Sequence, residues 1–363
     1  MPPLWRVKLR NLSGEYLLAD YEGFSFTRRA GSCGAYALRV VKPESETGRA
    51  FYTRMMARFT LDAQVEFWFQ WAEYGIEWYK EFEALHRRYE FYVREDGALV
   101  FESGGPGYND LLRRRIIAAA SGSAEASKSG AAETVAKEYV DEQCEGGAGS
   151  RAITGFTVEA DGAHGDTNTL GRSNRNVLEV VQEVAELGGD EFAVVGTGSG
   201  TFQFNWYDEQ LGTDRSSEVI FALERGNMAS PRLAVDRTDE VNAVRVGGKG
   251  EGTSRAYVWR TDSTLIDDSS WNRIEDFVNA SNESTTAGLN QAGDKRLAEK
   301  APLKKLTFDV LQVPGCLYGK HYFLGDKVTA DFLGLSETKH VAQVTVTLSA
   351  SEPGMPQVEL EDV

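Results

Sequence analysis

Apolar and polar residues alternate through one short run after another of this sequence, and each run closes at a turn signal. "WRVKL", "EYLLADY", "GFSFT" and "AYALRVV" stand near the start, separated by Ser-Gly, Glu-Gly and Gly-Ser-Cys-Gly. The pattern returns near the end. "KKLTFDVLQV" alternates Leu306, Phe308 and Val310, and "KHVAQVTVTLSAS" sets Val344, Val346 and Leu348 opposite Gln343, Thr345 and Thr347. A period of two puts successive side chains on opposite faces, so such runs bury an apolar face only as β-sheet. Short strands at this spacing predict a sandwich or barrel. The expected fold class is α+β and β-rich, with two barrel-like β units flanking an inserted mixed α/β domain.

The 363 residues suffice for two or three domains. The boundaries read as 1–104, 105–232 and 233–363. In the first segment Val65, Phe67 and Phe69 share one face of a run and Glu66, Trp68 and Gln70 the other. So many aromatics predict that both faces are covered, one by core and one by a partner subunit.

At Gly104 the character changes. "GGPGYNDLLRRRIIAAA" predicts a helix with Asn109 or Asp110 as N-cap and with Leu112 and Ile116 at helical spacing. "SGSAEASKSG", residues 121–130, reads as a mobile loop dispensable for folding. Ala132, Val135, Ala136 and Tyr139 then form a helical stripe. A second helix carries Val177, Val181, Val184 and Ala185, capped by Ser173 or Asn174 and ended by Gly188. In "VVGTGSGTFQFNW" a strand pattern follows the glycines, which reads as a β-hairpin turn, because a phosphate loop requires a helix there. Further on, "AVDRTDEVNAVRVGGKGEG" and "RAYVWRTD" look like paired strands, "TTAGLNQAGDKRLAEKA" like a helix and "QVELE" like a closing strand. No repeat of solenoid length is visible, and the two β-rich ends are candidates for distant copies of one design.

The residues offer little chemistry. His86, His164, His321 and His340 lack metal-ligand spacing, and the loop that joins Asp161, His164 and Asp166 supplies too few ligands for a structural metal. Asp267 and Asp268 with Ser269 and Ser270 read as a solvated loop. Cys33, Cys144 and Cys316 are far apart and indicate free, buried thiols. Arg113, Arg114 and Arg115 read as the solvated face of a helix, or as a site for an acidic partner. No nucleophile elbow or zinc-protease motif is present, so no catalytic, cofactor or metal residue is assigned.

With 39 basic and 55 acidic residues the net charge is −16. Such a surface repels nucleic acid and argues against binding that grips its backbone, yet lets a polyanion slide past. The first residues lack the apolar core of a signal peptide, and no run is long enough to span a bilayer, so cytoplasmic synthesis without a membrane anchor is expected.

The order of the pieces is the most informative signal. "WYKEFEALHRRYEFY", "GYNDLLRRRII", "ETVAKEYVDEQ", "NRIEDFVNAS", "AGLNQAGDKRLAEK" and "YFLGDKVTADF" together resemble siphophage tail proteins, specifically the tail-associated baseplate hub family, related in architecture to the central hub of contractile tails. The positions that carry the resemblance are Tyr108 with Leu111, Leu112 and Arg115, then Arg273 with Glu275, and Gly325 and Asp326 with Val328. Gly325 allows a turn before a strand near Lys327, and Asp326 can bond the backbone of that turn. The resemblance implies a homotrimer whose two barrel-like units per subunit make a pseudo-sixfold ring at the tail tip of the virion. The implied partners are a distal tail protein, a tape measure protein and a tip or spike protein, and DNA would pass through an acidic channel without specific binding. Two other readings are a tail-associated cell-wall or glycan hydrolase and a carbohydrate-binding receptor module. For the latter, the aromatic stretch 67–79 would serve as the stacking platform.

Overall fold

The computed structural model describes residues 2–75 and 77–363. The chain divides into two compact units, one running up to Ala229 and resuming over Val310–Val363, the other spanning Ser230–Asp309. Strand makes up 43% and helix 20%, so the β-rich class expected from the alternation holds.

The chain opens with β1 (Leu4–Asn11), β2 (Gly14–Leu18), β3 (Tyr21–Arg29), β4 (Ala35–Val41), α1 (Gly48–Arg58), β5 (Gln64–Gln70), β6 (Tyr79–Leu85), β7 (Arg88–Val93) and β8 (Leu99–Gly105). The order β2-β1-β5-β6 makes one four-stranded antiparallel sheet. Trp5, Phe67 and Phe82 of that sheet meet Phe24 and Phe26 of β3, with ring centroids 4.9 to 5.8 Å apart. Burial of each such ring stabilises by about 1.5–3 kcal/mol. On the other face of β5, Glu66 is buried with its carboxylate 3.2 Å from Arg10 Nη1, and Lys8 lies over Trp68. On that face Glu66 is buried, whereas Trp68 and Gln70 remain partly exposed. The helix α1 is absent from the β-only reading of this segment. Thr47 Oγ1 caps it by accepting from the Ala50 N–H at 3.2 Å, and Phe51 and Met55, four residues apart, bury its inner side.

Next come α2 (Asp110–Arg113), β9 (Ala126–Ala131), α3 (Ala132–Cys144), β10 (Phe156–Val158), β11 (Thr167–Arg172), α4 (Val177–Gly188), β12 (Glu191–Gly198), β13 (Thr201–Tyr207) and β14 (Ile220–Ala222). The expected stripes of α3 and α4 are buried in one core. Three local expectations are corrected. α2 stops after one turn, because the Ile117 N–H donates to Arg175 O at 2.8 Å and Ile116 bridges to Asn176, pulling the backbone out of the helix. The cap of α4 is Asn176, whose Oδ1 accepts from the Leu178 N–H at 3.0 Å, and neither Ser173 nor Asn174 fills that role. The second half of the supposed loop 121–130 belongs to β9, which pairs antiparallel with β11. There Tyr139 donates to the carbonyls of Ala126 and Leu170. Backbone hydrogen bonding, which small side chains permit as well as large ones, orders a segment that composition marked as mobile.

Within the second unit, β16 (Ala243–Gly247), β17 (Tyr257–Thr261), α5 (Ser263–Asp267), β18 (Glu275–Asn279) and α6 (Thr286–Glu299) follow β15 (Met228–Asp236) and lead into β19 (Leu303–Val310), which pairs with β15. The sheet order is β17-β16-β18, and α6 packs Leu289 against Val244 and Val246. The chain ends with β20 (Lys327–Phe332), β21 (Leu335–Leu348) and β22 (Gln357–Asp362).

These last strands complete an eight-stranded sheet of order β14-β20-β21-β3-β4-β8-β7, with β22 beside β21. The compact units divide at 229/230, beside the expected boundary at 232, and again at 309/310, with no division at 104. Val346 of β21 faces Phe26 of β3, so the first and last segments share one ladder. Such long-range pairing has no local sequence signature.

A buried polar relay crosses this sheet. Tyr36 Oη is 2.7 Å from Ser103 Oγ, which lies 2.8 Å from His86 Nδ1. Burial lowers the His86 pKa from 6.5 to about 4, with Asp62 opposing and Arg87 adding to the shift. The unfolded chain binds this proton more readily, so the contribution to stability is complete above about 6.5 and is lost as pH falls to about 4. The full loss is of order 3 kcal/mol. Urea midpoints measured against pH should fall less steeply for His86→Gln than for the parent across this window, and parallel curves would refute the assignment.

Candidate functional site

The residues that carried the family resemblance fall into separate clusters. Gly325 and Asp326 lie in the turn before β20. Gly325 has φ +88°, and a Cβ there would sit 2.6 Å from the Gly212 nitrogen, so only glycine fits. Asp326 is buried. Its Oδ1 accepts from the Thr213 N–H at 2.7 Å, and its Oδ2 from the Phe323 N–H at 2.8 Å and from Arg215 Nε at 2.9 Å. One carboxylate thus clasps the segment after β13 to the start of β20, whose Val328 is fully buried. The expected backbone bond of Asp326 is present, and the two partners at 213 and 215 were not legible in the sequence.

Tyr108 is buried, its ring edge-on to Phe202 with centroids 4.9 Å apart and its hydroxyl accepting from Gln64 Nε2 at 3.1 Å. Burial holds its pKa well above the ordinary tyrosine value. The same Gln64 donates to Gly198 O at 3.2 Å and accepts from the Gly200 N–H at 2.8 Å. The glycine-rich turn between β12 and β13 is therefore a hairpin, as its sequence predicted, and is clamped by a side chain from β5. Leu112 is fully buried beside Tyr108 in the core of this segment.

Of the three arginines Arg113 is solvent-exposed, as expected of a solvated face, whereas Arg114 and Arg115 are partly buried. Arg113 pairs with Asp110, and Arg114 links Asp110 at 2.8 Å to Asp62 at 2.9 Å. Arg115 Nε donates to Arg151 O at 2.8 Å. Arg114, together with Arg87, holds the Asp62 carboxyl below its usual range against the opposing effect of burial. Arg273 and Glu275 form an ion pair of 2.7 Å in the second unit, with both side chains about half exposed.

Of the stretch proposed as a sugar platform, three aromatics belong to the core, while Trp68, Tyr74, Trp78 and Tyr79 are only partly buried. Phe67, Phe69 and Trp71 are at most 2% exposed, and the Trp71 indole donates to Tyr318 O at 2.8 Å. Nearby, Arg28 Nη1 donates to the Glu81 carbonyl at 2.8 Å and lies 3.4 Å from its Oε1, and Tyr318 Oη donates to the same Oε1 at 2.8 Å. Burial raises the Glu81 pKa, and Arg28 opposes that rise. His164 Nδ1 is 2.7 Å from Glu133 Oε2, while Asp161 accepts from Thr134. Among the described residues no group of three or more His, Cys, Asp or Glu is placed to hold a metal ion.

Solved structures share this arrangement over nearly the whole chain. A tail protein from Neisseria meningitidis MC58 is 13% identical with a TM-score of 0.57, the match covering 99% of this chain and 96% of that one. The 43 kDa tail protein of prophage MuSo2 from Shewanella oneidensis is 12% identical with a TM-score of 0.58, over 98% of both. A chain of the Francisella PdpA–VgrG complex is 9% identical with a TM-score of 0.55, over 99% of this chain and 58% of that one. Comparison with curated proteins returns no match. The fold is one shared with phage tail proteins. A model of the Siphovirus ReqiPepy6 Gp37-like protein family matches residues 10–361, and the chain belongs to that family. Among the described residues no helix is long and apolar enough to cross a membrane.

Proposed function

We propose that this chain is a phage tail protein and the hub of the tail tip, a non-enzymatic homotrimeric ring that joins a distal tail protein and the tape measure protein above to a tip or spike protein below. Its lumen forms part of the DNA ejection channel. The observation that carries this reading is the tail-protein fold extending over nearly the full chain. The same fold in a chain of a two-protein complex supports the assignment of protein partners. In this reading Tyr108, Leu112, Arg115, Gly325, Asp326 and Val328 keep the subunit rigid, and Arg273 with Glu275 lies on its surface. The net charge of −16 suits a channel wall. DNA carries about one negative charge per 1.7 Å of axis, so a basic lumen would retain it and an acidic one releases it.

A particle reconstruction at side-chain resolution tests this. The expected result is a threefold ring on the tail axis with a predominantly acidic lumen. A lumen lined mainly by Lys and Arg, or a position off the axis, would overturn it.

A further inference from the structure

The second unit buries one face of its three-stranded sheet under α6 and leaves the other open. On the covered side, Arg260 pairs with Asp294 at 2.6 Å and Arg296 with Asp276 at 2.7 Å. On the open side the register places Arg245 between Trp259 and Phe277, and Gly247 between Tyr257 and Asn279. The Arg245 guanidinium lies 4.3 Å from the Tyr257 ring centroid, that of Arg255 lies 5.5 Å from both Tyr257 and Phe277, and that of Arg273 lies 5.4 Å from Trp259. Arg255 is held flat by donating to Gly248 O at 2.9 Å and to Gly247 O at 2.8 Å. A Cβ on Gly247 would come within 2.7 Å of that guanidinium, so glycine there makes room for it. Tyr257, Trp259 and Phe277 remain 43%, 46% and 48% exposed.

The charge of this face is uncompensated. Glu275 neutralises Arg273, but among the described residues no ion pair joins Arg245 or Arg255 to a carboxylate. We propose that this face docks on a carboxylate-rich surface of a second copy of the chain, an inference that rests on the ring reading above. Residues 230–309 hold 12 basic and 13 acidic residues, whereas the rest of the chain holds 27 and 42. A second copy therefore brings an excess of carboxylates to meet the guanidinium groups of Arg245, which rests on the Tyr257 ring, and Arg255, which hydrogen bonds hold in place. Arg255 uses its Nε and Nη2 hydrogens on Gly248 O, Gly247 O and Asn279 Oδ1, but the Arg245 fork makes no such bonds among the described residues and can bind a carboxylate in two-point geometry. Aromatic and arginine side chains are also enriched where proteins meet. Single-stranded nucleic acid fits less well, because the rings on which bases would stack are already partly covered by the protein's own guanidinium groups.

The test compares the mass in solution of the full chain with those of Arg245→Glu, Trp259→Ala and Arg245→Lys, alongside thermal melts. The expected result is that the parent assembles, that Arg245→Glu and Trp259→Ala associate at least about tenfold more weakly, that Arg245→Lys is intermediate, and that all melt near the parent temperature. If the parent assembles and the first two variants match it, this docking face is wrong and the ring reading stands. A parent that remains a single chain of 40.0 kDa at every concentration sinks both. Binding of a labelled single-stranded oligonucleotide that Trp259→Ala abolishes, with assembly unchanged, would reassign the face to nucleic acid.

Discussion

Asp326→Ala is expected to lower the unfolding free energy by about 3–5 kcal/mol, the largest effect of any exposed or buried carboxylate considered above. The substitution strips three donors of their acceptor at once: the Thr213 and Phe323 N–H groups and Arg215 Nε. Asp326 is only 2% exposed, so water replaces those bonds poorly. Asp326→Asn keeps the volume but turns an NH2 group toward one set of donors, and should lose most of the same amount. Gly325→Ala should behave alike for a different reason, since it forces a Cβ to within 2.6 Å of the Gly212 nitrogen at φ +88°. Urea unfolding with an unchanged m-value reads the loss directly. A change below about 1 kcal/mol for Asp326→Ala would show that the clasp contributes little.

Arg28→Met should cost about 3 kcal/mol, because it abandons the Glu81 carboxylate in the core beside Tyr318. Part of that loss is recoverable. Glu81→Gln in the same background removes the stranded charge, and the double variant should regain most of the stability. The pH dependence provides an independent check. Burial already raises the Glu81 pKa, and loss of Arg28 raises it further. A carboxyl that titrates higher in the native state favours folding below the unfolded value, near 4.5, and opposes it as pH climbs. Arg28→Met should therefore be destabilised more at neutral pH than in mild acid. A double variant no better than Arg28→Met would mean that packing, rather than charge, explains the loss.

Local pattern was enough for much of this. Alternation located β1, β3, β4, β5 and β21, and the strand after the glycines marked the hairpin of β12 and β13. The stripe of Ala132, Val135, Ala136 and Tyr139 marked α3, and Gly325 marked the turn before β20. Each of these depends on neighbours within one turn or one strand. The open face of the second unit was half legible: the sequence paired Arg245 with the Tyr257–Trp259 run, yet Phe277 and Arg255 join it only through a parallel strand and a loop. α1 escaped because "GRAFYTRMMAR" has only two buried residues and a weak apolar stripe. β9 escaped because its side chains are small and its order comes from the ladder with β11.

By itself, the sequence determined the β-rich class, the family resemblance, the acidic balance and the elements whose cause is local. The tertiary structure alone decided which strands pair, that β3 and β21 share one sheet, that Asp62 joins Asp110 around Arg114, and that Gln64 clamps a hairpin well over a hundred residues away. The physical reason is range. Alternation and capping act between residues a few positions apart, whereas a ladder, a buried carboxylate and its donors are matched by geometry in space, which any separation along the chain can satisfy.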